Sequence, residues 1–193
     1  MDFLEQVAAA RTCRRFRQSE PLPAGFLTWL VDCARLAPSA KNQQALRFAV
    51  VESPEGRAAL FPALRWAGAL PDWPGPVEGE RPTGYVVILA APENKGHLLS
   101  IDLGIAAQTM QLAAATRGVG CCMFQTYDAA LIRSVIDAPE GLEVIMPLAF
   151  GLELEERRVA PVPESGSLTY WRDAAGVHYV PKRALDEVLV IRK

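Results

Sequence analysis

Histidine is scarce in this chain: only His97 and His178 occur among 193 residues. Neither has partners at metal-ligand spacing, so no metal site is expected. His97 sits beside Lys95 and Gly96 in an expected loop and His178 in an expected hairpin, and both read as surface or structural residues. There is no G-x-S-x-G elbow and no Walker loop. Gly118-Val-Gly120 lacks the third glycine of a dinucleotide fingerprint and follows a helix rather than a strand, which excludes a Rossmann reading. Side-chain nucleophile chemistry is therefore poorly supported, and an enzyme of this composition needs a cofactor to supply its reactivity. The four cysteines, Cys13, Cys33, Cys121 and Cys122, form no CxxC pair, and reduced thiols in a cytoplasmic protein are the simple reading. Cys121 and Cys122 read as packing residues, because a disulfide between chain neighbours would strain the backbone. The opening Met-Asp-Phe-Leu-Glu-Gln has no basic region before an apolar run, so no signal peptide is expected. The longest apolar candidate, Ile101 to Thr116, carries Asp102, Gln108 and Gln111, so no membrane span is expected either. A net charge of -2 supplies no basic field for nucleic acid.

Against these absences stands a composition suited to a core. Half of the residues are apolar, 22% are charged and 8% aromatic, which argues against a disordered chain. One domain over residues 1–193 is expected, burying about 70% of the unfolded chain's surface. Phe3, Leu4, Val7 and Ala8 predict a helix over 2–11 with Asp2 as its cap. Phe26, Leu27, Leu30, Val31 and Ala34 predict a second, which Pro38 ends. Pro54 and Glu55 open a third that runs to about Leu64. Leu46, Phe48 and Val50 alternate as in a strand. Residues 85–91 form a nearly continuous apolar run, as in a strand buried on both faces. The strongest helix spans Ser100 to Arg117 and stops at Gly118. It is apolar nearly all round, so it belongs inside a core or against a second subunit.

Shorter signals complete the chain. They predict a strand over 119–124, a helix over 128–136, a strand over 143–150 and a hairpin over 169–180 that turns at Asp173-Ala-Ala-Gly176. The β-branched tail at 186–191 is a candidate to join a sheet. Glu153, Glu155, Glu156, Arg157 and Arg158 read as a solvated charged turn. Residues 65–84 hold four prolines with Trp66 and Trp73 and read as an ordered surface excursion, either a lid or substrate-facing wall or a structural flap. Helices before, between and after the strands of a central sheet make one α+β, three-layer domain.

Two segments carry polar groups of a kind that bind ligands. Arg11-Thr12-Cys13-Arg14-Arg15-Phe16 concentrates guanidinium groups, which match phosphate oxygens, beside a threonine hydroxyl; the alternative is a solvated basic turn. Ala37-Pro38-Ser39-Ala40-Lys41-Asn42-Gln43-Gln44 gathers amides and hydroxyls able to read the polar edge of a heteroaromatic ring; the alternative is a helix stop with local backbone capping.

Taken together, these segments resemble the nitroreductase family. The first is similar to its R-R-S-x-R-x-F opening and the second to its A-P-S-x-x-N-x-Q-P segment. Asp102-Leu-Gly-Ile-Ala-Ala-Gln108 resembles the family's D-x-G-x-A-x-Q helix, and Gly118-Val-Gly-Cys-Cys122 the step after it. Pro181-Lys-Arg-Ala-Leu185 resembles a basic C-terminal phosphate contact, while Trp73-Pro-Gly-Pro76 and Tyr170-Trp-Arg-Asp173 look like traits of one subgroup. The sequence departs from the pattern at Ala10, Thr12 and Ala45, where the family has Arg, Ser and Pro. One phosphate contact is therefore missing or supplied by another residue.

The resemblance implies a central, mainly antiparallel sheet flanked by helices, in an intertwined homodimer with two FMN sites at its interface. Arg11 and Thr12 would contact the phosphate or ribityl chain, Arg14 the flavin pyrimidine edge, and Lys182 and Arg183 would close over the phosphate. Pro38, Ser39, Ala40 and Asn42 would come from the other subunit, Gln108 would pack near the interface, and the backbone at Cys121 and Cys122 would lie against the flavin. No side chain acts as the catalyst on this reading. NAD(P)H, from either NADH or NADPH, reduces the flavin at N5, and an electron-poor acceptor such as a nitroaromatic or quinone takes the electrons in a ping-pong sequence. Alternatives on the same fold are a specialised ene-reductase, dehydrogenase or dehalogenase, or a flavin-binding dimer without turnover.

Overall fold

The structure is a computed structural model that describes residues 2–70 and 72–193. Its centre is an antiparallel sheet of β1 (Arg47–Val51), β2 (Gly84–Ala90), β3 (Val119–Met123) and β4 (Glu143–Leu152), in the order β1-β2-β4-β3. Every residue of β2 is buried. A strand with apolar residues on both pleated faces needs an apolar layer on each side, and the chain supplies two. On one face Val86 and Ile88 meet α2 (Phe26–Leu36) and α4 (His97–Ala115) through Phe26, Leu30, Ala106 and Met110. On the other, Tyr85, Val87 and Leu89 meet α3 (Pro54–Leu60) and α5 (Ala129–Val135) through Leu60 and Ile132. Helices, sheet and helices make the three layers expected of the sequence.

Local chemistry sets the helix ends. α1 (Phe3–Ala9) opens on a capping box in which Glu5 N–H donates to Asp2 and Asp2 N–H to Glu5, each at 2.8 Å. Ser53 and Asp128 cap α3 and α5 in the same way, by accepting from Gly56 and Leu131 backbone amides. After α4 the chain turns at Gly118, with φ +68°. By length and composition α4 could cross a membrane; here it packs against α2 and β3 and carries buried Asp102 and Gln111.

The C-terminal third departs from the expectations in two places. Although Glu156 and Arg158 are exposed, residues 153–158 are not wholly a solvated turn. They lead into β5 (Arg157–Pro161), which pairs in parallel with β7 (His178–Lys182), while β6 (Trp171–Arg172) pairs antiparallel with β7. The Glu155 and Arg157 side chains are buried because each finds a partner of opposite charge, Arg172 and Glu153 respectively. The tail does not join a sheet either. It forms the short α6 (Leu185–Val188) and leaves Val188, Val190 and Ile191 exposed. The expected hairpin is present, and Asp173 accepts from Ala175 and Val177 backbone amides at its turn.

Two further segments are clearer in space than in sequence. Residues 11–17 are extended rather than turned. Thr12 bridges in parallel to Cys121 and Phe16 antiparallel to Glu153, so the segment starts along the outer side of β3 and continues beside the end of β4. The 65–84 excursion is tied down at several points. Arg15 donates to both Glu80 carboxylate oxygens, Trp66 packs edge-on against Phe124, and Trp73 lies under the Arg172 guanidinium at 4.3 Å. That last contact joins the two tryptophan-bearing motifs, Trp73-Pro-Gly-Pro76 and Tyr170-Trp-Arg-Asp173.

Candidate functional site

The segment at 10–16 is fixed from below. Ala10, Cys13 and Phe16 are buried, and Cys13 N–H donates to the Cys121 carbonyl at 2.8 Å. Close approach to β3 depends on Gly120, where a Cβ would lie 2.5 Å from Cys13 Cβ. With those residues turned inward, Arg11, Thr12 and Arg14 line a cavity of about 230 Å³. Its other walls come from Gln108 and Gln111 on α4, from Tyr170, and from His178, Val180 and Lys182 on β7. Five predicted residues, Arg11, Thr12, Arg14, Gln108 and Lys182, are thus brought together from three distant parts of the chain.

The cavity is cationic. Arg11 Nη2 donates to the Val7 carbonyl at 2.6 Å, but its buried Nε has no partner. Burial and then the neighbouring Arg157 hold the Arg11 guanidinium below its ordinary pKa. Among the described residues, no carboxylate pairs with the side chain of Arg11, Arg14 or Lys182. Arg11 and Arg14 are half-buried and Lys182 is exposed; half-buried cations without counter-ions are costly unless an anion joins them.

Behind Arg14 lies a polar cluster that sequence reasoning missed. The Glu155 carboxylate accepts from Arg14 backbone N–H and, at 2.8 Å, from Arg172. The Arg14 guanidinium sits 4.7 Å over the Tyr170 ring, with Nη1 3.5 Å from His178 Nε2. Buried His178 packs on Tyr170 at 5.1 Å between centroids, and its Nδ1 has no partner. Burial pushes the His178 pKa down to about 4; Glu155 opposes the shift, and Arg14, Arg172 and Arg157 add to it. The imidazole is therefore neutral near pH 7.

The second predicted set lies in the loop that follows α2, beside the N-terminal half of α4. Pro38 and Ser39 line a cavity of about 310 Å³ together with Val31, Phe48, Arg47 and Asp102. Ala40 and Asn42 belong to the adjoining 3₁₀ turn, Ala40–Asn42. Lys41, Asn42 and Gln44 there have φ of +51°, +53° and +47°. Left-handed non-glycine residues cost on the order of 1–3 kcal/mol each. Asp102 and Gln111, one at each cavity, are separated by about 14 Å along α4.

Five predicted residues line neither cavity: Ala40 and Asn42 on the 3₁₀ turn, and Cys121, Cys122 and Arg183. Cys121 and Cys122 are buried within β3, both thiols are free, and burial pushes the Cys122 pKa up to about 12 and that of Cys121 well above its ordinary value. Arg183 bonds to Glu187 and lines a neighbouring groove with Val159 and Pro161, a groove that shares Lys182 with the first cavity. Tyr170, Gln111 and Glu155 were visible only as a subgroup motif, a polar position in an apolar helix and one member of a charge run.

This architecture matches known proteins. Residues 7–152 match the profile of the nitroreductase family. The chain is 26% identical over 176 residues to 5,6-dimethylbenzimidazole synthase of Rhodospirillum rubrum, covering 80% of this chain and 82% of that protein. An FMN-dependent nitroreductase of Clostridium difficile R20291 superposes with a TM-score of 0.66 at 23% identity, over 81% of this chain and 90% of the other. A nitroreductase family protein of Clostridium novyi NT does so with 0.64 at 24%, over 79% and 87%. With the profile spanning both the arginine segment and the second polar loop, and the same fold recurring in these solved structures, the chain belongs to the nitroreductase family.

Proposed function

We propose that the protein is an FMN-dependent oxidoreductase, active as a homodimer, that passes electrons from NAD(P)H to an electron-poor acceptor such as a nitroaromatic or quinone. The observation that carries this reading is the convergence of Arg11, Arg14 and Lys182 on one cavity where, among the described residues, no carboxylate forms an ion pair with their side chains. The orphaned Arg11 Nε and the Thr12 hydroxyl fit a phosphomonoester at that place.

Size supports a second subunit. About 230 Å³ is below the roughly 300–1,000 Å³ of complete small-molecule sites, so one chain's cavity suits the phosphate end of FMN and leaves its ring system outside. The Pro38–Asn42 loop of a partner chain is the candidate to complete the site. Apolar Leu98 and Ile101 on α4, 42% and 43% exposed, are available to bury against that partner.

When bound, FMN supplies the two-electron exchange that the side chains lack. The chain's own residues bind and orient it. Arg11, Thr12 and Lys182 hold the anion. Arg14, braced by Tyr170 and Glu155, adds positive potential, which favours a ring that gains negative charge on reduction. His178, neutral near pH 7, adds no further cation beside Arg14.

Absorbance of the purified protein, followed by FMN titration of any flavin-free fraction, tests the reading. Anaerobic mixing with NADH and NADPH then identifies the donor by bleaching. Colourless protein that takes up no FMN overturns the proposal. Flavin that binds but is reduced by neither donor points to a flavin-binding dimer without this turnover. The similarity to 5,6-dimethylbenzimidazole synthase over four fifths of the chain supports a second reading, a specialised flavoenzyme, and formation of 5,6-dimethylbenzimidazole by the flavin-loaded protein would favour it.

A further inference from the structure

The loop that bears Ser39, Ala40 and Asn42 adopts a backbone that ordinary side chains avoid, with three non-glycine residues at positive φ within four positions. Such a conformation persists only where its surroundings over-determine it. Most of the loop's hydrogen bonds are internal. Asn42 N–H donates to the Ser39 carbonyl at 3.0 Å, Gln43 N–H to the Ala40 carbonyl at 3.0 Å and Gln44 N–H to Ser39 Oγ at 3.2 Å. Arg47 Nη1 donates to the Gln44 carbonyl, but Arg47 opens the very next strand. These bonds shape the loop without fixing it to the body of the protein.

Among the described residues, one bond reaches beyond the loop and the strand it leads into. Ala40 N–H donates to Asp102 Oδ1 at 2.8 Å, across 62 positions of sequence. Asp102 is buried on α4 and, among the described residues, pairs with no lysine or arginine. It also forms part of the wall of two cavities: one contains Pro38 and Ser39, the other Gln43 and His97. A buried carboxylate without a cation is unfavourable by itself. Bonding to a backbone amide is the stabilisation that this one receives, and its effect falls on the first residue of the strained turn.

We infer that Asp102 is a positioning residue: its carboxylate pins the Ala40 amide and so holds the left-handed turn that presents Ser39 and Asn42 to a bound flavin. The ligand in this inference rests on the function proposed above, whereas the pinning of the loop does not. Asp102→Asn keeps an oxygen that accepts, and Asp102→Ala removes it. Ala40→Pro removes the donor from the other side, and Ser39, at φ −130° and ψ 154°, already has the extended backbone that a following proline requires.

Hydrogen exchange of residues 39–44 in the flavin-free full-length protein reads the loop, FMN fluorescence titration reads the site, and thermal unfolding reads overall stability. Leu99→Ala, a truncation of a buried residue on the same helix, serves as the destabilised control. Expected in Asp102→Ala are at least tenfold faster exchange at Ala40 and about tenfold weaker FMN binding. Ala40→Pro should weaken FMN binding similarly, and Asp102→Asn should stay within about threefold of the parent in both readouts. Leu99→Ala should lower the melting temperature while leaving exchange at 39–44 and FMN affinity near the parent's. Unchanged exchange in Asp102→Ala, or an Asn variant no better than Ala, overturns the inference. Fast exchange in Asp102→Ala alongside a parent protein that binds no FMN keeps the positioning role and removes the flavin reading. If Asp102→Ala does not fold, the Asn and Pro variants decide: parent-like exchange and affinity in Ala40→Pro overturn the role.

Discussion

His178 shows how little a residue's identity says before its neighbours are known. In the sequence it reads as a surface or structural histidine; in the fold it is buried between Tyr170 and a group of arginines, with Glu155 the one acid facing it. Above about pH 6.5 the imidazole is neutral in both folded and unfolded chains. Between there and about pH 4 the unfolded chain takes up a proton that the folded chain refuses, so stability falls as pH falls through that window. Wild-type protein should lose on the order of 2 kcal/mol more than His178→Phe between pH 6.5 and 4, measured by denaturant unfolding at each pH. Equal slopes would show that His178 is not the titrating group. Arg14 is the converse case, a residue visible in the sequence whose support was not. Its side chain leans on Tyr170 and its backbone on Glu155, so Arg14→Ala should weaken FMN binding about tenfold, or about 1.4 kcal/mol, by fluorescence titration. Wild-type affinity in that variant would remove Arg14 from the site. The basic segment was legible because arginines cluster there; Glu155 was not, because a buried acid looks like any other member of a charge run until its partner, Arg172, is brought 2.8 Å away by the hairpin.

At the scale of elements, what the sequence made plain was periodicity, and what it hid was pairing. β2, α4 and the 169–180 hairpin follow from apolar runs, helical spacing and turn residues. The extended path of residues 11–17 does not, because its bonds go to Cys121, Leu152 and Glu80, all more than 60 positions away. The parallel pairing of β5 with β7 was hidden for the same reason. Gly120 is the joint between β3 and the arginine segment. Gly120→Ala forces Cys13 aside and should cost about 1–3 kcal/mol, seen as a lower melting temperature, together with lower flavin content of the purified protein. Loss of stability with full flavin content would show that the segment can shift without disturbing the cavity. The Arg15–Glu80 pair is one of the ties between the 65–84 excursion and the arginine segment. Glu80→Ala should speed limited proteolysis within 65–84 by several-fold, and an unchanged digestion rate would mean that the bonds of Phe16 and Gln18 to residues 79–81, with Trp66 and Trp73, suffice to hold it.

For the whole molecule, composition and the order of motifs foretold three layers, because an all-apolar strand requires cover on both faces. The distribution of the site was less visible. One chain carries two separate cavities along α4, and in the function proposed above each is half of a site that a second chain completes. Ile101→Glu places a charge on the exposed apolar stripe of α4 and should give a monomer by light scattering that retains little flavin; a dimer with full flavin content would move the interface elsewhere. One consequence reaches beyond catalysis. Because Thr12 bridges to Cys121, β3 is not a bare sheet margin: the arginine segment caps the hydrogen-bonding groups that would otherwise recruit a stranger's backbone. Anything that peels residues 11–16 away would therefore empty the anion cavity and, in the same motion, expose a template for aggregation.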